Sequence, residues 1–250
     1  MNTIHNPKNP MSTNNTKFTC QFCGEVSLIQ RYNCFDTHES PEYRQILGKE
    51  EFYKWVCPNC HEQLDLAYPS RYIDEEEGIC AVLVPNIENM DADALLEYIN
   101  NYRKRMPPSK MAHRIVGNFN SMAEQMHIHQ HQLNDKAVHL LKPLIIGCLQ
   151  SNGVEVWNGF FTGLCHPEEN ERKENIIYIS READEAALYA QDVFCFDIHL
   201  TNRDIIPMGI NDDAYRICLQ ILDQIGLAND DGNYHFYDLS WAIDVQSHLN

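Results

Sequence analysis

The sequence lacks any long apolar run, and this absence excludes a membrane-spanning helix of ordinary length. Crossing a bilayer takes about 18–20 consecutive apolar residues, whereas the longest apolar stretch, at 143–149, suits only a protein core. No apolar segment follows Met1, so we expect no secretory signal and a cytoplasmic protein. The sequence also has no phosphate-binding glycine loop, no Gly-x-Ser-x-Gly elbow and no His-Glu-x-x-His motif. No catalytic residue is therefore predicted.

Basic residues are scarce as well. Lys and Arg number 19 against 36 Asp and Glu, a net charge of -17, which repels phosphate backbones. Five cations do gather between Arg103 and Arg114, around a Pro-Pro pair. We interpret this segment as a solvated loop. Nucleic-acid binding through it remains an alternative hypothesis.

Glycine and proline are near average, at 11 each, and 44% of the residues are hydrophobic. This composition predicts a folded chain of one or two domains. Only residues 1–16, dominated by Asn, Thr and Pro, predict a disordered leader.

Cysteine, by contrast, is abundant, and four of the ten cysteines form two Cys-x-x-Cys pairs. In a reducing compartment such pairs indicate metal binding rather than disulfides. Four thiolates fill the tetrahedral coordination of Zn²⁺ and leave no position for water or substrate. The pairs therefore predict a closed, structural zinc site formed by Cys20, Cys23, Cys57 and Cys60. The other six cysteines are expected to be buried small hydrophobes: Cys34, Cys80, Cys148, Cys165, Cys195 and Cys218.

Three other interpretations of the pairs are weaker. A thioredoxin-like redox pair opens a helix, and neither pair is followed by a helical pattern. Iron is an alternative because the segment ending at Cys60 resembles half of a rubredoxin site. The rest of that pattern is missing around Cys20, and His61 stands where glycine is expected. Four unligated thiols would leave the pairing unexplained.

The hydrophobic pattern predicts an α+β fold. Strands are expected at 26–32, 52–56, 64–68 and 79–84, with a short helix inserted at 41–47. The 33 residues between Cys23 and Cys57 exceed the usual ribbon gap of about 15–20, and this helix accounts for the excess. We therefore predict a zinc-ribbon-like β subdomain with a helical insertion.

The rest of the chain predicts helices followed by a C-terminal α+β domain. Helices are expected at 92–105, twice within 119–149, and at 212–225 and 238–249; strands are expected at 154–157, 176–179 and 193–200. The predicted domains are 17–149 for the zinc-binding part and 150–250 for the C-terminal part.

A histidine cluster at His127, His129 and His131 is the densest in the sequence. On a helix only the first and third share a face. We interpret this stretch as a solvated helix end rather than a second metal site.

In the C-terminal domain, Cys195 and His199 share a predicted strand face but lie about 13 Å apart, and His166 follows Cys165 in a predicted loop. An enzyme, or an enzyme subunit, with a site near these groups is the second hypothesis.

The two pairs, the strand at 52–56 and the segment Tyr-Pro-Ser-Arg-Tyr-Ile-Asp at 68–74 together resemble the CpXC domain family of prokaryotes. Segments within 115–136 are similar to the helical part of that family, so the resemblance covers Phe18 to Leu149. The C-terminal part, with Leu239-Ser240-Trp241-Ala242 near its end, resembles the tail of long family members. Gln21 replaces a usual proline and His61 a common glycine, but neither removes a ligand. The resemblance implies a metal-binding, zinc-ribbon-like module and no particular reaction.

Taken together, the residues favour a non-enzymatic, zinc-stabilised module that binds a protein partner of unknown identity. The acidic charge suits a basic partner.

Overall fold

The computed structural model describes residues 13–47, 53–105, 110–166, 176–179 and 191–248. The fold is α+β, as predicted, and the chain forms two compact units. The first comprises Met1–Ala123 with Gly232–Phe236, and the second comprises Glu124–Asp231 with Tyr237–Asn250. Within the described ranges, every helix is too short or too polar to cross a bilayer.

The first unit contains nine strands and two complete helices among its described residues. In chain order they are β1 (Thr13–Thr19), β2 (Val26–Tyr32), β3 (Cys34–Asp36), α1 (Tyr43–Leu47), β4 (Lys54–Val56), β5 (Gln63–Asp65), β6 (Ser70–Asp74), β7 (Ile79–Leu83), α2 (Ala92–Arg105) and β8 (Ala112–Val116), with β13 (Tyr234–His235) returning near the C-terminus. A 3₁₀ turn at Ile87–Asn89 precedes α2. The predicted strands at 26–32 and 79–84 and the helix at 92–105 are confirmed. Helix α2 begins after Asp91, whose carboxylate accepts the N–H of Ala94 at 2.8 Å.

Two separate hairpins precede the main sheet of this unit. Strand β1 pairs antiparallel with β2, and β4 pairs antiparallel with β5. Because β1 begins at Thr13, opposite Tyr32, residues 13–16 belong to a strand and the predicted leader is too long. The polar side chains of Asn14 and Asn15 are exposed. Residues 1–12 lie outside the described residues.

The main sheet has the strand order β13-β8-β7-β6-β3. Strands β6 and β7 are antiparallel, and the other neighbours are parallel. All five residues of β7 are buried, as expected for a strand covered on both faces. Arg114 lies in β8 and is only 2% exposed, so the predicted solvated loop does not extend to it.

The inserted helix α1 packs through Tyr43 and Leu47, which are both buried. The ring of Phe35 in β3 meets Tyr43 edge-on at 5.3 Å between centroids and stacks on Tyr32 at the same distance. These contacts attach the insertion to β2 and β3. The inserted helix was predicted at 41–47, and α1 occupies Tyr43–Leu47 of that range.

Helix α3 (Phe119–Gln130) begins in the first unit and ends in the second. The remaining elements of the second unit are α4 (Asp135–Ser151), β9 (Val156–Cys165), β10 (Ile177–Ile179), β11 (Val193–Leu200), β12 (Ile205–Asn211), α5 (Asp212–Gln224) and α6 (Leu239–Ser247). The predicted break between α3 and α4 is confirmed at Asn134, whose side chain accepts the Ala137 N–H at 3.2 Å.

The second sheet has the order β10-β12-β11-β9. Its core contains alternate residues of β11, namely Phe194, Phe196 and Ile198, packed with buried residues of α4 and α5 such as Leu141 and Leu222. These alternate residues form the core-facing side of β11. The predicted boundary between the zinc-binding domain and the C-terminal domain lies after Leu149, near the end of α4. The compact units divide the chain at another place, because all of α4 belongs to the second unit. That domain limit stays a prediction.

A buried ion pair connects α3 with α4 at the edge of this sheet. Lys142 Nζ donates to Glu124 Oε2 at 2.7 Å, and the side chains are 3% and 1% exposed. The backbone N–H of Phe161 in the edge strand β9 donates to Glu124 Oε1 at 2.7 Å. Burial raises the pKa of Glu124, while Lys142 and the Phe161 N–H oppose that rise. The carboxylate thus satisfies a backbone donor at a sheet edge.

Candidate metal centre

Each Cys-x-x-Cys pair forms the turn of one hairpin. In the first turn, the N–H of Cys20 donates to the Glu25 carbonyl at 2.8 Å, and the N–H of Gly24 donates to the Cys20 carbonyl at 2.9 Å. These two bonds fold residues 20–25 so that both sulfurs point to the same side. The turn is closed by Thr19 and Val26, which are paired in the hairpin.

The second turn repeats this pattern one for one. The N–H of Cys57 donates to the Glu62 carbonyl at 2.9 Å, and the N–H of His61 donates to the Cys57 carbonyl at 3.0 Å. The residue after each pair has a positive φ, 75° at Gly24 and 62° at His61. Glycine adopts this conformation without strain, whereas histidine adopts it at a cost. The histidine noted in the sequence therefore occupies the same backbone position as Gly24.

The four sulfurs converge at one point. They all lie within 4.8 Å of one another, and two of the separations that cross between the pairs are 3.7 Å for Cys20–Cys60 and 3.6 Å for Cys23–Cys57. Four sulfurs about 2.3 Å from a central zinc ion form a tetrahedron with edges of about 3.8 Å. The cluster can therefore hold a metal ion. Among the described residues it is the one group of three or more His, Cys, Asp or Glu side chains with such a geometry.

The sulfurs differ in their access to solvent. Cys20 and Cys57, the first cysteine of each pair, are buried, whereas Cys23 is exposed and Cys60 is half-buried. Each short contact across the cluster therefore joins one buried sulfur to one that solvent can reach.

The surroundings of the sulfurs shift the pKa values of Cys23 and Cys60 in opposite directions. The Asn59 side chain and the Glu25 backbone lower the pKa of Cys23 to about 6. The Glu62 backbone lowers the pKa of Cys60, but burial and hydrogen bonds with the other thiols outweigh it and raise that pKa to about 12. A bound cation would favour the thiolate form of all four cysteines.

An aromatic contact joins the two hairpins beside the sulfurs. The rings of Phe18 in β1 and Trp55 in β4 meet edge-on with centroids 4.9 Å apart. The hairpins are thus held together by packing as well as by the cysteine cluster.

The sequence of residues 18–142 matches the family model described as CpXC protein. The chain belongs to the CpXC protein family. The match includes all four clustered cysteines and runs from β1 into α4, so it extends from the first compact unit into the second. No curated protein and no solved structure matches the chain.

The six scattered cysteines are buried in four cases: Cys80, Cys165, Cys195 and Cys218. Cys34 is half-buried, and the prediction is wrong for Cys148, which is exposed. Cys148 follows Leu144 by four residues on α4, and Leu144 is itself 45% exposed. Helical periodicity places both on the outer face.

The histidine cluster lies at the end of α3, as predicted, but its side chains are half-buried rather than fully solvated. The ring of His131 meets Phe161 edge-on at 6.2 Å between centroids. His127, His129 and His131 belong to no metal-ligand group among the described residues.

The three candidate groups of the C-terminal domain occupy different places. His199 packs edge-on against Phe160 at 5.1 Å, near one end of β11. Cys195 is buried, and its thiol donates to the Val193 carbonyl at 3.5 Å. His166 lies beyond the end of β9, with Nδ1 2.9 Å from Asp192. Cys195 packs with Cys165 and Val193 in a small buried cluster, so the pairing of β9 with β11 brings it beside the residue that precedes His166. The enzyme hypothesis stays a prediction.

The basic segment is likewise divided. Lys104 and Lys110 are exposed, but Arg114 is buried and its Nη1 donates to the His113 carbonyl at 2.9 Å. The side chains of Arg103 and Arg105 lie outside the described residues. Nucleic-acid binding through this segment stays a hypothesis.

Sequence reasoning missed a set of exposed apolar side chains around the cluster. We name it the ribbon patch: Phe22, Val26, Leu28 and Val56. Val26 and Leu28 alternate with Ser27 in β2, so the sequence contained the signal for one shared face. It did not indicate that this face is turned to solvent.

Proposed function

We propose that this protein is a zinc-stabilised, non-enzymatic module that binds a protein partner through the ribbon patch. The main observation in support of this proposal is the position of the patch. It lies on the two hairpins that a closed four-sulfur metal site would hold in place. A closed site has no coordination position for water or substrate. A metal ion bound in this site would instead fix the conformation of the surrounding surface.

Zinc fits the donor set better than other common ions. Cys20, Cys23, Cys57 and Cys60 would supply four soft thiolates in a tetrahedron, which suits zinc or iron rather than magnesium or calcium. The first pair lacks the surroundings of a rubredoxin site, and this favours zinc over iron. When bound, the ion would cross-link the β1–β2 and β4–β5 hairpins.

The ribbon patch supports partner binding because its side chains are unusually open. Leu28 is 71% exposed, Phe22 59%, Val26 54% and Val56 53%. Grouped apolar side chains on the surface of a soluble domain commonly mark an interface. Lys17 and Thr19, the cross-strand neighbours of Leu28 and Val26, are also exposed.

Charge and chemistry support the choice of partner and compartment. A net charge of -17 would attract a partner with basic residues around its apolar contact surface. Four reduced cysteines are best maintained in a cytoplasmic compartment.

The test has two parts, carried out on the full chain. Metal analysis should find one zinc per chain and no iron absorption. The chain is then immobilised and exposed to an extract of its source cells, in parallel with Leu28→Asp and with Leu96→Asp as the matched control. Leu96 is 57% exposed on α2, outside the ribbon. At least one protein should be depleted about tenfold by Leu28→Asp alone, and its purified form should bind the chain directly.

Both variants must first retain zinc and unchanged circular dichroism. Identical captured proteins for Leu28→Asp, Leu96→Asp and the unchanged chain would refute the role of the patch. Catalytic turnover by the purified, zinc-loaded chain would refute the non-enzymatic assignment.

A further inference from the structure

The cysteine cluster places sulfurs of different solvent access against one another. Two short Sγ–Sγ separations join the first cysteine of one pair to the second of the other, 3.7 Å for Cys20 with Cys60 and 3.6 Å for Cys23 with Cys57. Each of these couples combines a buried sulfur with one that solvent reaches. A small oxidant can therefore reach the accessible sulfur of a couple, and the buried sulfur lies close enough to react with it next.

We propose that the cluster is a peroxide-sensitive switch, in which oxidation joins Cys23 to Cys57 and releases the metal. This inference rests on the proposed zinc site and adds its regulation. Cys23 is the attacking residue because it is the most exposed of the four, and Cys57 is the resolving residue because its sulfur lies 3.6 Å away.

The chemistry balances with a hydroperoxide as the oxidant. The Cys23 thiolate attacks the terminal oxygen of hydrogen peroxide, the O–O bond breaks, and hydroxide leaves while Cys23 becomes a sulfenic acid. The Cys57 thiolate then attacks Cys23 Sγ and forms the S–S bond, and a second hydroxide leaves. The two sulfurs lose two electrons in total, and the peroxide gains them.

The geometry assigns a specific consequence to this cross-pair bond. A disulfide within one pair would leave the two hairpins without any link through sulfur. A Cys23–Cys57 disulfide still joins the β1–β2 hairpin to the β4–β5 hairpin, as the metal would. Oxidation thus removes two of the four metal ligands, yet keeps both halves of the ribbon patch on connected hairpins.

The exposed Cys148 provides an internal comparison. It is accessible like Cys23 but lies on the outer face of α4, outside any cysteine cluster among the described residues. Peroxide should oxidise it without metal release and without an intramolecular disulfide. Exposure to solvent does not distinguish Cys23 from Cys148. The difference is that Cys23 has other cysteine sulfurs beside it.

The experiment treats the full zinc-loaded chain with hydrogen peroxide. Metal release is followed with a chromogenic chelator, and disulfides are mapped by peptide mass spectrometry. We expect one zinc released per chain with a dominant Cys23–Cys57 linkage, and recovery of binding after a thiol reductant and added zinc. Cys148→Ser should release zinc at the unchanged rate.

Cys23→His separates the mechanism from simple loss of a ligand, since three cysteines and one histidine also hold zinc. This variant should bind zinc but release it about tenfold more slowly under peroxide, whereas Cys60→His should retain most of the rate. A dominant disulfide within one pair, zinc retained under peroxide, or equal slowing by the two variants would overturn the proposal. A chain that never binds zinc would instead refute the proposed function, before any peroxide is added.

Discussion

Arg44 donates two hydrogen bonds to the carboxylate of Asp74, from Nε to Oδ2 at 2.6 Å and from Nη2 to Oδ1 at 2.7 Å. The Tyr72 hydroxyl and the Glu77 N–H donate to the same carboxylate, at 2.9 and 3.1 Å. Asp74 is completely buried at the end of β6. It thereby fastens the inserted helix α1 to the main sheet of the first unit.

We expect Asp74→Asn to lower the free energy of unfolding of the first unit by about 3 kcal/mol, because it removes the charge that Arg44 faces and one of the bidentate acceptors. Chemical denaturation monitored by tryptophan fluorescence measures this change. Glu76→Gln is the matched control, since Glu76 also contacts Arg44 but is 78% exposed, and it should cost less than about 1 kcal/mol. Equal effects of the two substitutions would contradict this role for Asp74.

The same carboxylate predicts a dependence of stability on pH. Burial alone would raise the pKa of Asp74, but the hydrogen bonds from Arg44, Glu77 and Tyr72 lower it to about 2. A pKa that is lower in the folded chain adds stability above the unfolded value of about 3.9. This contribution, about 2 kcal/mol, is lost as pH falls from about 4 to about 2. The stability difference between the unchanged chain and Asp74→Asn should therefore narrow over that interval, and a constant difference would contradict the prediction.

The two hairpin turns predict that adding a glycine after a cysteine pair stabilises the first unit and that removing one destabilises it. His61→Gly should stabilise the first unit by about 0.5–1 kcal/mol, because a histidine at φ 62° is strained and glycine is not. Gly24→Ala, at φ 75° in the matching turn, should destabilise it by about 1 kcal/mol. Thermal unfolding of the metal-loaded proteins measures both. Destabilisation by His61→Gly would indicate that the imidazole makes a contribution larger than its backbone strain.

The cysteine cluster predicts that stability depends on the metal. Cys57→Ser should abolish stoichiometric zinc binding and lower the melting temperature of the first unit, because three sulfurs leave the tetrahedron incomplete. Cys148→Ser, which alters an exposed cysteine outside the cluster, should change neither. Elemental analysis and differential scanning calorimetry are the measurements. Full zinc content in Cys57→Ser would exclude that residue as a ligand.

The Glu124–Lys142 pair predicts a strongly non-additive double-mutant cycle. Lys142→Met alone should cost about 3–5 kcal/mol, because it leaves a buried carboxylate without its cation. Combining it with Glu124→Gln should restore most of that loss, since glutamine is neutral and still accepts the Phe161 N–H. Denaturation of the two single variants and the double variant gives the coupling energy. Additive losses would show that the two charges act independently.

Local patterns were sufficient for much of the fold and for the metal centre. The spacing of Cys20 with Cys23 and of Cys57 with Cys60 predicted a four-sulfur site because a turn of two intervening residues aims both sulfurs at one point. The helix predicted at 92–105 matches α2, and the caps that the structure shows at Asp91 and Asn134 explain this success, because capping depends only on the next few residues.

Longer-range structure could not be inferred in the same way. Strand β12 escaped prediction because Pro207 and Gly209 are poor strand formers. Pro207 is tolerated because the pairing with β10 covers only Met208 to Ile210. Arg114 looked like part of a basic loop, but it is buried in β8, which lies between β7 and β13 in the sheet.

Residue types and spacing along the chain were thus enough to predict which four cysteines cluster and which short segments form helices or strands. The tertiary structure alone decided which sulfurs are buried, which of them touch across the cluster, and which apolar face of β2 is open to solvent. These features depend on residues that are far apart in sequence, such as Cys23 and Cys57. Their contacts are set by the packing of whole hairpins rather than by neighbours in the chain.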